Sequence, residues 1–389
     1  MSSSIASIDA CAAHYGADEQ AMRDYLLAGE EKALAMGNRG PVRFDDDGNV
    51  HPDILSAYDR YGFYVFTGVL AEDELADLRA DLEDIQDRLP TARGAKTDRA
   101  GRPALSTGCK SKTLQWARPL SDPLGGTKLL DGRHQVKLHE PSAASDAPAE
   151  VVYVILGSLQ FSDACLRTYG HPDLLRVAAA VNGDDFVPFN DVLFIKDPGL
   201  GAAVSWHQDG ITHWDNPALD GGTHGFNFMA QVYGSTAVNG VWVVPGTHKM
   251  GKVDITQLVA AAGSERLQDA VPLICNPGDV VICNRQLVHG SFANTGFERR
   301  VTVNFGFHRR ASVEGVTANG MNGEGKSYDA DWISKRSRMI PLAVSARSQR
   351  FDDQSPYTYA PLSDTEDTPR WDNHNPPDLT DYNLLDLYI

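Results

Sequence analysis

The chain has 389 residues, 42% of them hydrophobic and 22% charged, which is enough for one large soluble domain with extensions or for two smaller ones. No run approaches the roughly 18 apolar residues of a membrane helix, and the opening MSSSIASIDACAAHYGADEQ has no basic leader, so neither membrane insertion nor export is expected. A net charge of −17, with nine acids against the single base Arg370 in residues 351–389, sets the surface against phosphate backbones and argues against a nucleic-acid partner.

Cys11, Cys109, Cys165, Cys275 and Cys283 are odd in number and widely spaced, with no CxxC pair. That pattern fits reduced thiols in a cytoplasmic protein better than a disulfide framework or a structural zinc site. In chain order, residues 18–37 read as a helix with Met22, Leu26, Leu27 and Leu34 on one face. A second helix is expected over 52–60, followed by the short apolar strand GFYVF (62–66). AEDELADLRADLEDIQDRL (71–89) is amphipathic, and Glu72, Asp73 and Glu74 suit its positive N-terminal end. Residues 91–126, rich in Gly, Pro, Ser, Thr and Lys, read as a long loop of the kind that serves as a lid or binding element.

A helix is expected again at 172–182, and then the texture changes to short apolar runs punctuated by Gly, Pro and Asn. DVLFIK (191–196), AAVSWHQD (202–209), FNFMAQVY (226–233), GVWVVP (240–245), DVVICN (279–284) and RRVTVNFGF (299–307) predict a β sandwich or barrel, with only the interior of 253–272 helical among them. The fold class that follows is mainly β with flanking helices around a jelly-roll core. Residues beyond 310 have weak periodicity and are expected to be irregular and to wrap that core.

The chemistry is read from Trp206-His207-Gln208-Asp209 at the end of a predicted strand. Residues two apart in a strand share a face, so His207 and Asp209 can hold one metal from one side. His289, at the start of the loop HGSFANTGFE, is the candidate third ligand. Two His and one carboxylate on one face leave open positions that suit Fe(II) binding a cosubstrate and O2 together. Arg300, eleven residues after His289, can pair with the distal carboxylate of a bound oxoacid. Alternation sets Arg300, Thr302 and Asn304 opposite Val301, Val303 and Phe305, and a polar inward face favours Arg300. Arg299 is the alternative, should the preceding loop be one residue shorter.

WHQDG (206–210), NGVWVVPGTHKMG (239–251), NPGDVVICNRQLVHGSFANTG (276–296) and ERRVTVNF (298–305), with YDRYGFYVFTGVLAEDELADLRADL (58–82) ahead of them, resemble the phytanoyl-CoA dioxygenase family of Fe(II)/2-oxoglutarate oxygenases. The resemblance covers roughly residues 50–310. It implies a double-stranded β-helix (cupin-like) core and metal ligands at His207, Asp209 and His289. It also implies that 2-oxoglutarate is held at Arg300, with further contacts from Gln208 and Ser291. O2 is the second cosubstrate, and 2-oxoglutarate would leave as succinate and CO2. A carboxylate at 209 fills the position a halide takes in related halogenases, which favours hydroxylation of an unactivated C–H bond over chlorination. Desaturation, cyclisation or rearrangement remain alternatives, as does a cupin-like binding protein without catalysis, which four residues in the right order argue against. The expected organisation is an N-terminal helical extension (1–50), the oxygenase domain (51–310) and an acidic C-terminal extension (311–389).

The expected partner is a small-molecule substrate; the sequence leaves its identity and the oligomeric state open. Trp214, Phe226, Phe228 and Met229 are candidates for its pocket wall, although single aromatics are more often plain core. His213 and His224 read as loop histidines, His248 in PGTHK as a turn support, and Lys196 and the Lys110/Lys112 pair as solvated.

Overall fold

The computed structural model describes residues 3–209, 225–319, 325–363, 368–384 and 386. Trp214, His213 and His224, and nearly all of the insertion expected at 211–225, lie outside the described residues. Two helices open the chain, α1 (Ile5–Ala13) and α2 (Glu19–Ala35). The short strand β1 (Arg39–Gly40) leads to α3 (Pro52–Tyr61), β2 (Phe63–Phe66) and α4 (Glu72–Asp87). Pro52 sits in the first turn of α3, His51 Nδ1 accepts the Asp53 N–H, and Gly62 ends the helix in the left-handed region. Leu75, Leu78, Leu82 and Ile85 of α4 are buried, as their spacing requires.

The expected 91–126 loop contains a strand, β3 (Leu114–Ala117), and α5 (Leu129–Gly132) follows it. Among the elements the sequence does not announce are β4 (Val151–Leu156) and α6 (Asp163–Tyr169), the latter capped by Ser162. After α7 (Pro172–Asn182) come eight strands: β5 (Val187–Lys196), β6 (Val204–His207), β7 (Phe226–Gln231), β8 (Trp242–Val244), β9 (Val271–Pro272), β10 (Val280–Asn284), β11 (Val288–Ser291) and β12 (Arg300–His308). Helix α8 (Ile255–Ala262) lies within the connection from β8 to β9.

These eight strands pair antiparallel from the outside in: β5 with β12, β6 with β11, β7 with β10, β8 with β9. A long hairpin rolled up in this way is a jelly roll. It gives two sheets that face each other without closing into a barrel. The larger has the order β1-β2-β10-β7-β12-β5-β4-β3, the smaller β6-β11-β8-β9. The outer face of the larger sheet carries Phe228, Val301, Val303, Phe305 and Phe307, and packs on Leu78, Leu82, Tyr169 and Leu175 of the helices. The N-terminal helices cover the smaller sheet: Met22 and Leu26 share a core with Trp242 and Val288, and Tyr25 stacks on Trp242 at 4.5 Å.

The tail departs from the irregular chain expected of it. A short helix α9 (Arg310–Val313) and a hairpin of β13 (Thr317–Asn319) and β14 (Gly325–Ser327) precede α10 (Ala330–Ser337) and α11 (Met339–Ser348). Asp329 caps α10 by accepting from Trp332 N, and Met339, Ile340, Leu342 and Ala343 bury α11. No helix among the described residues is long and apolar enough to cross a membrane.

Candidate active site

The jelly-roll pairing sets the site. His207 ends β6, and its Cα partner on β11 is His289. The two rings lie side by side, 4.1 Å between centroids. Two residues beyond His207, Asp209 returns to the same face, 3.6 Å from His207 Nε2 and 3.9 Å from His289 Nε2. One donor atom from each of the three lies within 4.8 Å of the others.

Backbone carbonyls fix the tautomers. His207 Nδ1 lies 2.8 Å from Ser205 O, and His289 Nδ1 lies 2.8 Å from Leu287 O. A carbonyl only accepts, so Nδ1 carries a proton in both rings and Nε2 is the nitrogen turned toward Asp209. A hydrogen bond at the far nitrogen orients metal-binding imidazoles in this way. Burial, then the His289, His134 and Arg133 charges, holds His207 neutral by lowering its pKa well below the ordinary value. Burial raises the Asp209 pKa, but Arg133, His289 and Arg285 outweigh it and hold the carboxyl below its usual range. Arg133 Nη1 donates to Asp209 Oδ1 at 3.1 Å, and Arg285 Nε lies 3.9 Å from Oδ2.

The three residues line a cavity of about 190 Å³ between the sheets. Its volume suits a small oxoacid and one further small molecule, not a polymer. Arg300, the first residue of β12, lines the same cavity and is 3% exposed. Its Nη1 donates to Asn239 O at 3.0 Å, whereas Nε is buried without a partner. No acid among the described residues pairs with it, and burial lowers its pKa to about 10. Thr302 lines the cavity two residues along β12, and Ser291 lines it too, bonded to Lys196, the β5 partner of Arg300.

Arg299 points the other way. It contacts Asp197 at 2.8 Å, as an ion pair and not an aligned hydrogen bond, and stands over the Tyr233 ring at 5.0 Å. Gln208, expected near the cosubstrate, is not among the residues lining the cavity. Alternation turns it away from its neighbours, and it ties loops together: Nε2 donates to Gly251 O and Gln286 O, and Oε1 accepts from Val253 N. Of the expected wall residues, Met229 lines the cavity, while Phe226 and Phe228 face the helices in the core. Asn227, which shares Met229's face, lines the cavity with it.

Lys196 is not solvated. It is 3% exposed, and its Nζ donates to Ser291 Oγ at 2.7 Å and to Phe292 O. Burial first, and the Arg300 charge second, lower its pKa well below the ordinary value. His248 supports the turn through Asp59 O at 2.9 Å. Lys110 and Lys112 are exposed. Sequence reasoning missed Arg133, His134 and Arg285. Their only trace was a basic pair in a loop and an arginine just after a strand, neither distinctive without the fold.

A jelly roll that gathers two histidines, a carboxylate and a buried arginine in one cavity defines a candidate non-haem metal site. The chain belongs to the phytanoyl-CoA dioxygenase (PhyH) family, whose sequence pattern matches residues 58–302. It is similar to phytanoyl-CoA dioxygenase 1 of Oryza sativa subsp. japonica, 31% identical over 109 residues that make up 25% of this chain and 36% of that protein. Dioxygenase lolE1 of Epichloe uncinata is 31% identical over 137 residues, 34% of this chain and 50% of that protein. The chain thus matches half or less of the length of these curated relatives. Among solved structures, EctD from S. alaskensis with 2-oxoglutarate and 5-hydroxyectoine is 18% identical, with a TM-score of 0.47 over 70% of this chain and 80% of that one. The carbocyclase SnoK from nogalamycin biosynthesis is 13% identical, with a TM-score of 0.46 over 81% and 94%.

Proposed function

We propose that the protein is an Fe(II)/2-oxoglutarate-dependent oxygenase that hydroxylates a C–H bond of a small molecule. The observation that carries this reading is a single cavity with a metal-shaped cluster on one wall and a buried arginine without an acid partner at one end. His207, Asp209 and His289 would hold the iron through two neutral Nε2 atoms and one carboxylate oxygen, a donor set suited to a divalent metal that must keep open positions. Arg300 would take the distal carboxylate of 2-oxoglutarate, an anion that satisfies both its charge and its orphaned Nε. Ser291 would assist: because Lys196 donates to its Oγ, the Ser291 hydroxyl proton can be donated toward the cavity.

Bound together, the metal and the cosubstrate supply the oxidising chemistry: one oxygen atom of O2 goes to the substrate and the other to succinate, with release of CO2. The chain's own work is positioning and exclusion of water. The test is product analysis with iron, 2-oxoglutarate and a library of small molecules, scored for oxygen-shifted masses. Oxygenated product and succinate in equal amounts, both abolished in His207→Ala, support the reading. Product formed without added 2-oxoglutarate overturns it.

A further inference from the structure

The cavity lining is mixed. Arg300, Ser291 and Thr302 are polar, whereas Leu124, Leu130, Leu156, Phe189 and Val192 are apolar. Arg133 lines the same cavity. It follows α5, its side chain is 17% exposed, and its Nη1 lies 3.1 Å from Asp209 Oδ1. Its Nε is buried without a partner.

Asp209 is the sole acid among the described residues lining the cavity, and it already faces His207, His289 and Arg285 as well. A divalent metal on that carboxylate would take most of the negative charge Arg133 now sees. A partly buried guanidinium beside a metal cation then favours a further anion, beyond the 2-oxoglutarate assigned to Arg300, because an uncompensated charge in such a place is costly. Nη1 is taken by Asp209, and the remaining Nη2 of the planar fork suits a carboxylate oxygen. Arg285 is engaged elsewhere, with Nη1 at 2.9 Å from His308 Nε2 and its guanidinium 3.9 Å over Phe189.

We propose that Arg133 anchors the acid group of the substrate, which is therefore a small carboxylic acid with an apolar body. The inference rests on the oxygenase reading above and narrows it. Since Arg133 touches an oxygen of the metal-ligand set, the acid group docks beside the metal and the oxidised carbon lies close to it. The aliphatic or aromatic body would lie against Leu124, Leu130, Leu156, Phe189 and Val192.

The rival role for Arg133 is to hold Asp209 in place and nothing more. Matched acid and amide pairs separate the two: hexanoate with hexanamide, and phenylacetate with phenylacetamide. Their Kd values are measured by calorimetry on the full chain, both metal-free and loaded anaerobically with Fe(II) and 2-oxoglutarate. In the loaded wild-type protein each acid should bind at least ~30-fold more tightly than its amide, the lower end expected for a partly desolvated charge pair. Arg133→Gln should bring that ratio to about one, and Arg133→Lys should keep part of it. Equal affinity of acid and amide in the wild-type protein, including no binding of either, overturns the proposal. So does a ratio that survives Arg133→Gln, or a parallel weakening of acid and amide, which is what a purely structural role gives. Melting temperatures accompany both variants; should Arg133→Gln not fold, the ratio in Arg133→Lys decides, and an undiminished one counts against. Failure of the wild-type protein to bind Fe(II) and 2-oxoglutarate would overturn the oxygenase reading instead, and is visible in the loading step itself.

Discussion

Adjacent arginines at 299 and 300 meet opposite fates because a strand turns successive side chains to opposite faces. Arg300 is enclosed with no acid among the described residues to pair with, whereas Arg299 has Asp197 at the surface. Arg300→Ala should raise the KM for 2-oxoglutarate by at least ~30-fold, the low end for truncating one partner of a buried charge pair. Arg299→Ala should change it less than about twofold, as expected for a partly exposed ion pair. Steady-state kinetics with 2-oxoglutarate varied would check both, and the reverse order would place the cosubstrate elsewhere. Lys196 offers a subtler case. Lys196→Met keeps the length and apolar stem but removes the donor that orients Ser291. A KM for 2-oxoglutarate raised by about tenfold, one hydrogen bond's worth, with an unchanged melting temperature is the expected result.

The same alternation shows what could be read from the sequence at this scale. It placed His207 and Asp209 together and set Arg300 apart from Val301. Applied to 226–229, it also forbids Phe228 and Met229 from sharing a wall, and only Met229 lines the cavity. Arg133 was not legible, because its role depends on a loop folding over β6, and no local periodicity encodes such a contact.

At the scale of elements, helix starts were the most legible feature, since a cap is a local arrangement. His171 caps α7 by accepting the Asp173 N–H on Nδ1, which requires the neutral ring. Burial, reinforced by the Arg347 and Arg176 charges, lowers its pKa to about 3 from an ordinary 6.5. The unfolded chain therefore takes up this proton before the folded one does. The contribution to stability is complete above pH about 6.5 and is lost as pH falls toward about 3, by at most ~1.4 kcal/mol per pH unit. His171→Asn keeps an acceptor at the cap and should flatten that part of the acid slope in urea titrations run at several pH values. An unchanged slope would show that other groups carry it.

Gly62 is a second test at this scale. It ends α3 at φ +82°, and a Cβ there would lie 2.6 Å from His248 Nδ1 and 2.8 Å from Leu287 Cδ1. Gly62→Ala should cost on the order of 1–3 kcal/mol, from overpacking on top of left-handed strain, and thermal unfolding would show it. Strands β3 and β4 are the instructive misses. VVYVIL is a continuous apolar run, the mark of a strand buried on both faces, but it sits among loops and was passed over.

For the molecule as a whole, the N-terminal helices and the C-terminal tail are built into the core. Arg336 on α10 is fully buried and holds Asp386 at 3.0 Å, with Asp191 of β5 3.8 Å away. Tyr382 donates to Asp191 as well, so the end of the described chain is tied to the strand whose Phe189, Val192 and Phe194 line the cavity. A tail read as solvated acid thus supplies a buried charge cluster. Composition conceals this, because an acid that pairs across 50 residues looks like any other. Asp386→Ala should destabilise the protein by about 3–5 kcal/mol by leaving Arg336 short of its partner, with urea unfolding as the check.

On the function proposed, one cavity would bind a divalent metal at His207, Asp209 and His289 and an oxoacid at Arg300. The most direct measurement is an anaerobic calorimetric titration of 2-oxoglutarate into wild-type protein, with and without a saturating equivalent of Fe(II), repeated for Asp209→Ala and Arg300→Ala. Tight binding is expected only when iron is present, lost in Asp209→Ala through the metal and in Arg300→Ala through the carboxylate. Iron-independent binding of 2-oxoglutarate, or binding left intact in both variants, would contradict it.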